Sequence, residues 1–399
     1  MFAKELFQIF SAFFVGFFVV WYTIPVIVRM SIAKNLHDVP DHRKVNTKVI
    51  PNMGGISIFL GISLGTMLSL TIGEFPEFRF IFSGMMIMFF IGLKDDMIII
   101  SPLKKLVAQI ICAMVIVLLG DIRITHLHGI LGINEINYYV SIFLSILGIV
   151  GTINAMNLID GIDGLAASIG ILSSLIFGIL FFQTGHIAYA SICFATLGSL
   201  ITFFAYNVFG HANKIFMGDT GALILGLILS AFAIHFNESF IAGNEDLVRT
   251  APILSLAILA VPLFDMVRLF SLRIYNGKSP FSPDMNHIHH KFLQLGFSHL
   301  KSTSIIALAN LFIISVIYAL KALDNSILLT ILLIWVSALM ILPGRIYEYQ
   351  QSKKEGKKKK VKLYTLRAKG INPVPFKVTY NYKEALTEDD LDFNKAANE

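Results

Sequence analysis

Charge is scarce in this chain. Only 15% of its 399 residues are Asp, Glu, Lys or Arg, against about a quarter in soluble domains. So few charges cannot cover a water-exposed surface of this size, which excludes an ordinary soluble globule. Cysteine is almost missing. Cys112 and Cys193 both lie inside apolar blocks, so a disulfide framework is unsupported and their spacing says nothing about redox compartment. No clear internal repeat, no inserted soluble domain and no HExxH zinc pattern interrupts the chain. The basic surplus is modest, a net charge of +6. Its residues sit in loops and a tail beside apolar blocks. That placement argues against nucleic-acid binding and for orientation in a membrane with attraction to anionic lipid.

What is abundant is apolar length: 55% of the residues are hydrophobic. A spanning helix needs roughly 20 mostly apolar residues. About eleven such segments can be marked, near 6–28, 53–72, 79–94, 104–120, 138–153, 165–183, 187–205, 215–235, 250–272, 303–320 and 325–344. Lys4 ahead of the first block could mimic a signal peptide. The block continues from Leu6 to Val28 without a small-residue cleavage pattern, so it reads as a retained helix. The expected fold is therefore all-α, a polytopic bundle forming a membrane domain over 1–344. A polar tail follows over 345–399, with a basic run at Lys353, Lys354 and Lys357 to Lys360. Its simplest reading is a solvated appendage or a lipid-surface contact.

Basic residues set the expected topology. Loops after the odd-numbered spans hold Arg29, Lys34, Arg43, Lys44, Lys48, Lys94, Lys104, Lys105, Lys214, Arg273, Lys278, Lys291 and Lys301. The opposite side holds little more than Lys4, Arg79, Arg123, Arg249 and Lys321. The positive-inside rule then puts the N-terminus outside and the tail in the cytoplasm. The unusual polar residues fall on that same cytoplasmic face. One-sided clustering suits an active site there. A carrier of an anionic solute, the main alternative, places its polar groups near the midplane. A non-catalytic scaffold is the other alternative, and it would be expected to have lost an acid from the set.

Asp95 and Asp96 end an apolar helix. Each acid at mid-membrane costs about 2.5–3.5 kcal/mol, less toward the interface, so a cation would offset the pair; a solvated helix end beside Lys94 is the bland account. Asn154, Asn157, Asp160 and Asp163 recur every third residue, which puts them on one face of a helical segment. Helix–helix hydrogen bonding accounts for the amides but not for the acids. Asp219 follows Met217-Gly218 at the mouth of a helix, where an N-cap is the bland account. Phe216 beside it is packing by default, or a stacking platform for a planar base. His287, His289 and His290 in one short loop suggest a metal site or phosphate contacts. Carboxylates with amide oxygens favour Mg²⁺ or Mn²⁺ over zinc. Such a cation beside basic residues is the equipment of phosphoryl-group transfer.

At these residues the chain resembles the polyprenyl-phosphate N-acetylhexosamine-1-phosphate transferases, from the first span to the last. The matching strings, in order, are Pro51-Asn52-Met53-Gly54-Gly55, Asp95-Asp96, Asn154 through Leu165, Ile215 through Gly221, and His287-Ile288-His289-His290. The histidine string is similar to that of the branch using UDP-GlcNAc. The resemblance implies transfer of GlcNAc-1-phosphate from UDP-GlcNAc to undecaprenyl phosphate, with release of UMP. That reaction starts a surface polysaccharide or wall polymer in the bacterial cytoplasmic membrane. Another UDP-N-acetylhexosamine would serve the same chemistry. By matching position, Asp219 would bind Mg²⁺ or Mn²⁺, and Asp95, with Asp96 beside it, would help the lipid phosphate attack. Asp160, Asp163 and Asn154 would line the nucleotide and metal site with Asn157. Phe216 would stack on uracil near Asn207, the three histidines would contact diphosphate or sugar, and Lys48 would bind phosphate. The stretch Val208 to Lys214 departs from the shorter Pro-Ala connection usual in wall-polymer members. A homodimer is left open.

Overall fold

The computed structural model describes residues 2–34, 50–70, 75–239, 245–279 and 286–368. Lys48, an expected phosphate contact, lies outside the described residues. The chain divides into Met1–Arg345 and Ile346–Glu399.

The first unit is built almost wholly of helix. In chain order it contains α1 (Phe2–Ala33), α2 (Gly54–Ser69), α3 (Phe78–Met97), α4 (Pro102–Met114), α5 (Tyr138–Ile159), α6 (Leu165–Gln183), α7 (Ile187–Phe209), α8 (Gly218–Glu238), α9 (Glu245–Ile258), α10 (Ala260–Tyr275), α11 (Ile288–Gln294), α12 (His299–Ala319) and the start of α13 (Asn325–Ala368). A π-helical turn, Val115–Leu119, extends α4. The expected all-α bundle is present. Among the described residues, eight helices are long and apolar enough to cross a membrane, nine if α9 and α10 form one span. The count of eleven is not reached on length and composition. The α2 helix has only 16 residues, and α3 carries Arg79 at one end and Lys94, Asp95 and Asp96 at the other. The segment expected at 250–272 is helical but bends by 63° between Ile258 and Ala260.

Burial explains the arrangement. The α8 helix is apolar on every side and buried along nearly its whole length, as a central helix should be. It packs on α2, α3, α5, α6 and α9. The α1 helix buries one narrow stripe, Gln8, Ala12, Gly16, Val20, Ile24 and Val28, at the four-residue spacing of one helix face. Phe7, Phe10, Phe14, Phe18 and Trp21 point away from the protein. Exposed aromatics on an apolar helix are tolerated because lipid tails, not water, face them. The two sides thus mark a multi-pass membrane protein.

One feature was not expected from sequence. Two short antiparallel strands, β1 (His126–Ile130) and β2 (Ile133–Glu135), form a hairpin between α4 and α5. Their few residues lack an alternating apolar pattern, and neighbours hold them in place. Glu238 accepts from the Thr125 N–H at 2.9 Å, and the Asn237 amide donates to His126 O at 3.0 Å. The Asn325 amide donates to His128 O at 2.7 Å and to Arg249 O at 2.6 Å.

Candidate active site

At the opposite end of the bundle, the acidic and amide motifs converge. The segment Pro51–Gly55 lies along Phe216–Met217. Phe216 N–H donates to Pro51 O at 2.8 Å, Gly54 N–H to Phe216 O at 2.9 Å, and Gly55 N–H to Met217 O at 2.8 Å. Gly218 has φ +70°, and a Cβ there would lie 2.0 Å from Asn52 O. Only glycine turns the chain so tightly while another backbone passes. The turn delivers Asp219 to the first turn of α8.

Asp96 supplies what α8 lacks. Residue 217 gives no side-chain cap, and a helix start leaves N–H groups unpaired. The Asp96 carboxylate on α3 accepts from Asp219 N–H at 2.7 Å, from Thr220 N–H at 3.0 Å and from the Thr220 hydroxyl at 2.6 Å. It is an N-cap donated by another helix, so it acts by holding Asp219 in place.

Asp95, its neighbour, faces a different set of groups. One oxygen accepts from Ile100 N–H at 2.7 Å, the other from Lys105 Nζ at 3.0 Å. The same ammonium donates to Asp219 Oδ1 at 2.6 Å and to Asn157 Oδ1 at 3.4 Å. The Asn157 amide also donates to Asp219 Oδ1. Three oxygens from α3, α5 and α8 therefore converge on one positive charge from α4. Sequence reading took Lys105 only as a topology marker. A signal was present: Lys105 and Gln109 are polar at i and i+4 on one face of an otherwise apolar helix.

Asp160 lies just past the end of α5. Among the described residues it has no hydrogen-bond or ion-pair partner. Burial, then the charges of Asp219, Asp96 and Asp163, push its carboxyl well above the usual range. Asp163 is different. Burial would raise it too, but His299 and Lys214 outweigh that and hold it below the usual range. Lys214 Nζ lies 2.7 Å and His299 Nδ1 3.4 Å from Asp163 Oδ2. Lys214 also stands 5.9 Å from the centre of the Phe216 ring. Phe216 is half-buried, leaving ring surface for a ligand.

Other motif residues tie the helices together. The Asn154 amide donates to Gln109 Oε1 at 2.7 Å and to Val150 O at 2.8 Å, while Gln109 Nε2 donates back at 3.3 Å. Asn207 is buried, accepting from Gly164 N–H at 2.6 Å and donating to Ile215 O at 2.9 Å. It clamps the turn between α5 and α6 to the segment that leads into α8.

The histidines close the site from α11. His289 is 1% exposed, and among the described residues neither ring nitrogen has a partner. A Cβ on Gly161 would lie 2.3 Å from its Nε2, so this glycine lets the ring reach the acid loop. Burial and the neighbouring His290 and His287 bring its pKa down to about 3, so His289 is neutral. The His287 ring lies 5.3 Å from that of His289, and His290 4.3 Å from it, centre to centre.

The sequence model of glycosyl transferase family 4 matches residues 78–237, which include all of this acidic site. A probable undecaprenyl-phosphate N-acetylglucosaminyl 1-phosphate transferase of Bacillus subtilis is 31% identical over 344 residues, 86% of this chain and 90% of that protein. The chain belongs to glycosyl transferase family 4. Further family 4 relatives are named undecaprenyl-phosphate alpha-N-acetylglucosaminyl 1-phosphate transferase. That of Yersinia pestis is 31% identical over 288 residues, 70% of this chain and 76% of the relative. That of Haemophilus influenzae is 33% identical over 297 residues, 71% and 79% of the two chains. The site of this family 4 chain thus comprises an acid–lysine knot, an unpaired acid, a paired acid beside an aromatic ring, and a neutral buried histidine.

Among the described residues, no three His, Cys, Asp or Glu side chains are grouped closely enough to hold a metal by themselves. The donor set nevertheless suits a hard cation. Asp219 and Asn157 oxygens already converge on a positive group, the Lys105 ammonium. Mg²⁺ sites commonly use one or two carboxylates and take their remaining ligands from substrate phosphates.

Proposed function

We propose that this chain transfers GlcNAc-1-phosphate from UDP-GlcNAc to undecaprenyl phosphate, releasing UMP, at the cytoplasmic face of a bacterial inner membrane. The names of its relatives support the undecaprenyl-phosphate acceptor and the GlcNAc-1-phosphate group transferred. The observation that carries the reading is the Lys105 ammonium set among Asp95, Asp219 and Asn157. A diphosphate needs cationic partners, and a protonated attacking phosphate needs a base to accept its proton. The excess of basic loop residues on the site's side supports the cytoplasmic orientation, with the N-terminus outside.

In this reading an oxygen of the lipid phosphate attacks the β-phosphorus of UDP-GlcNAc. The bond from that phosphorus to the bridging oxygen breaks, and UMP leaves. Asp95 accepts the proton of a lipid phosphate that arrives as its monoanion, and that hydrogen bond orients the attack. Lys105 turns from the two carboxylates toward the diphosphate oxygens. Phe216 stacks on uracil, with Asp163 and Lys214 at the ring's edge. Asp219 and Asn157 would hold Mg²⁺ or Mn²⁺, which when bound neutralises charge on the diphosphate. Asp96 keeps Asp219 aimed throughout.

The test uses detergent-purified chain with undecaprenyl phosphate and sugar-labelled UDP-GlcNAc, with and without EDTA. Label in the lipid with an equal amount of UMP, lost in EDTA and restored by Mg²⁺, is expected. Transfer that persists in EDTA overturns the metal assignment. No transfer from UDP-GlcNAc, with transfer from another UDP-N-acetylhexosamine, overturns the sugar.

A further inference from the structure

Asp265 lies in α10, within a run that reads as an apolar span, and it is 2% exposed. A carboxylate so buried calls for an explanation. Three donors converge on its two oxygens. Arg268 donates to Oδ1 at 2.7 Å, and Ile288 N–H donates to Oδ1 at 3.1 Å. His287 Nδ1 lies 3.0 Å from Oδ2. Arg268 reaches further and donates to Asn286 O at 2.5 Å. The Asp265–Arg268 pair, one turn apart, therefore grips both the backbone and the first ring of the histidine segment.

A carboxylate can only accept here, so Nδ1 must carry the proton. Fixing that tautomer leaves Nε2 as the ring atom free to meet a ligand. His289 differs in kind. Among the described residues both of its nitrogens lack partners, and its ring rests on Gly161. Two adjacent histidines thus have separate roles: one is oriented by a buried acid, the other is seated by packing alone.

We infer that Asp265 is a positioning residue for sugar-phosphate transfer, holding His287 as the Nδ1–H tautomer so that Nε2 faces the bound nucleotide sugar. This rests on the proposed transfer reaction and adds to it the control of one histidine. Among charged or titratable groups, His287 meets Asp265 and, through it, Arg268 of α10, with His289 and His290 beside it on α11. Asn at position 265 keeps the size but offers one oxygen to three donors, so the arrangement cannot be reproduced.

The test combines kinetics with a direct view of the ring. In the full-length protein, D265N should lower kcat about 10–100-fold, the usual effect of removing a partner behind a functional histidine, while KM for UDP-GlcNAc changes much less. In an H287A background the same substitution should cost nothing further. An equal loss in both backgrounds overturns the inference, because Asp265 would then only brace the loop. Unchanged transfer in D265N or in H287A also overturns it. Nitrogen NMR of [¹⁵N]histidine-labelled chain, with H287A assigning the signal, reads the tautomer without any turnover. A His287 Nδ1–H signature that persists in D265N overturns the inference even if UDP-GlcNAc is not the substrate. Its loss in a protein that transfers no sugar would uphold Asp265's control and reject the reaction instead.

Discussion

The two ends of the helical bundle handle buried polar groups in opposite ways. At the hairpin end, Glu238, Asn237 and Asn325 reach to backbone groups. Glu238 takes the Thr125 N–H, Asn237 takes His126 O, and Asn325 bridges His128 O and Arg249 O. These bonds satisfy groups that a membrane-embedded chain cannot leave unpaired. At the site end, carboxylates face one another. Asp160 has no partner among the described residues and feels the charge of Asp219, Asp96 and Asp163. Lys105 alone answers two acids. Polar residues at the first end stabilise the fold; those at the second hold charge in readiness for a ligand. The difference lies in the clustering of acids: at the second end several carboxylates lie close enough to feel one another's charge, around a single lysine.

Removing the unpaired acid breaks the comparison most sharply. Asp160→Asn should lower transfer by about 10²-fold or more, in the range typical of losing a preorganised electrostatic group. It should also raise the thermal midpoint in detergent. The sign follows from the raised carboxyl: its ionised form is disfavoured in the folded state, which costs stability above the unfolded pKa near 4. A lower midpoint would show that Asp160 is a structural acid. Lys105→Met should come next. We expect transfer to fall about 10²-fold while the bundle remains folded, measured by helical circular dichroism alongside turnover. Retained turnover would move the diphosphate to some other cation.

Glu238→Ala should do the reverse. Leaving the Thr125 N–H unpaired costs roughly 1–3 kcal/mol, with kcat unchanged; a drop in kcat without loss of stability would contradict the division between the ends. The smallest effect concerns His289. Burial brings its folded pKa down to about 3, below the ordinary histidine value of 6.5. The unfolded chain therefore binds the extra proton first, and stability declines as pH falls from about 6.5 toward 3. His289→Gln should flatten that decline in thermal scans between neutral and mildly acidic pH.

Much of this was legible beforehand because membrane burial writes itself into apolar length. Each of the eleven marked segments is helical over most of its described residues, though only eight or nine are long and apolar enough to span, and α5 ends within the Asn154–Asp163 motif, where every third residue is polar. The hairpin was not legible, since its strands are held by distant side chains. In the site, residue type revealed that chemistry was present but not which way each group faces. Asn157 turns to Asp219, whereas Asn154, three residues earlier, turns to Gln109. Asp95 faces a lysine, and adjacent Asp96 caps a helix. A pattern in sequence is indifferent to the neighbour opposite. Lys105 was concealed among topology-setting lysines, and Asp265 within a stretch that read as a plain span.

The bond from Asp96 to the start of α8 also bears on how the protein is made. Its partners are 123 residues apart in the chain. While the ribosome is still delivering α4 to α7, Asp96 has no helix to cap and Lys105 no Asp219 to meet. Each intermediate therefore leaves Asp96 and Lys105 short of partners that the full fold gives them. Arrival of α8 quenches these groups together. The contact that holds Asp219 thus forms only once the chain has been made as far as α8.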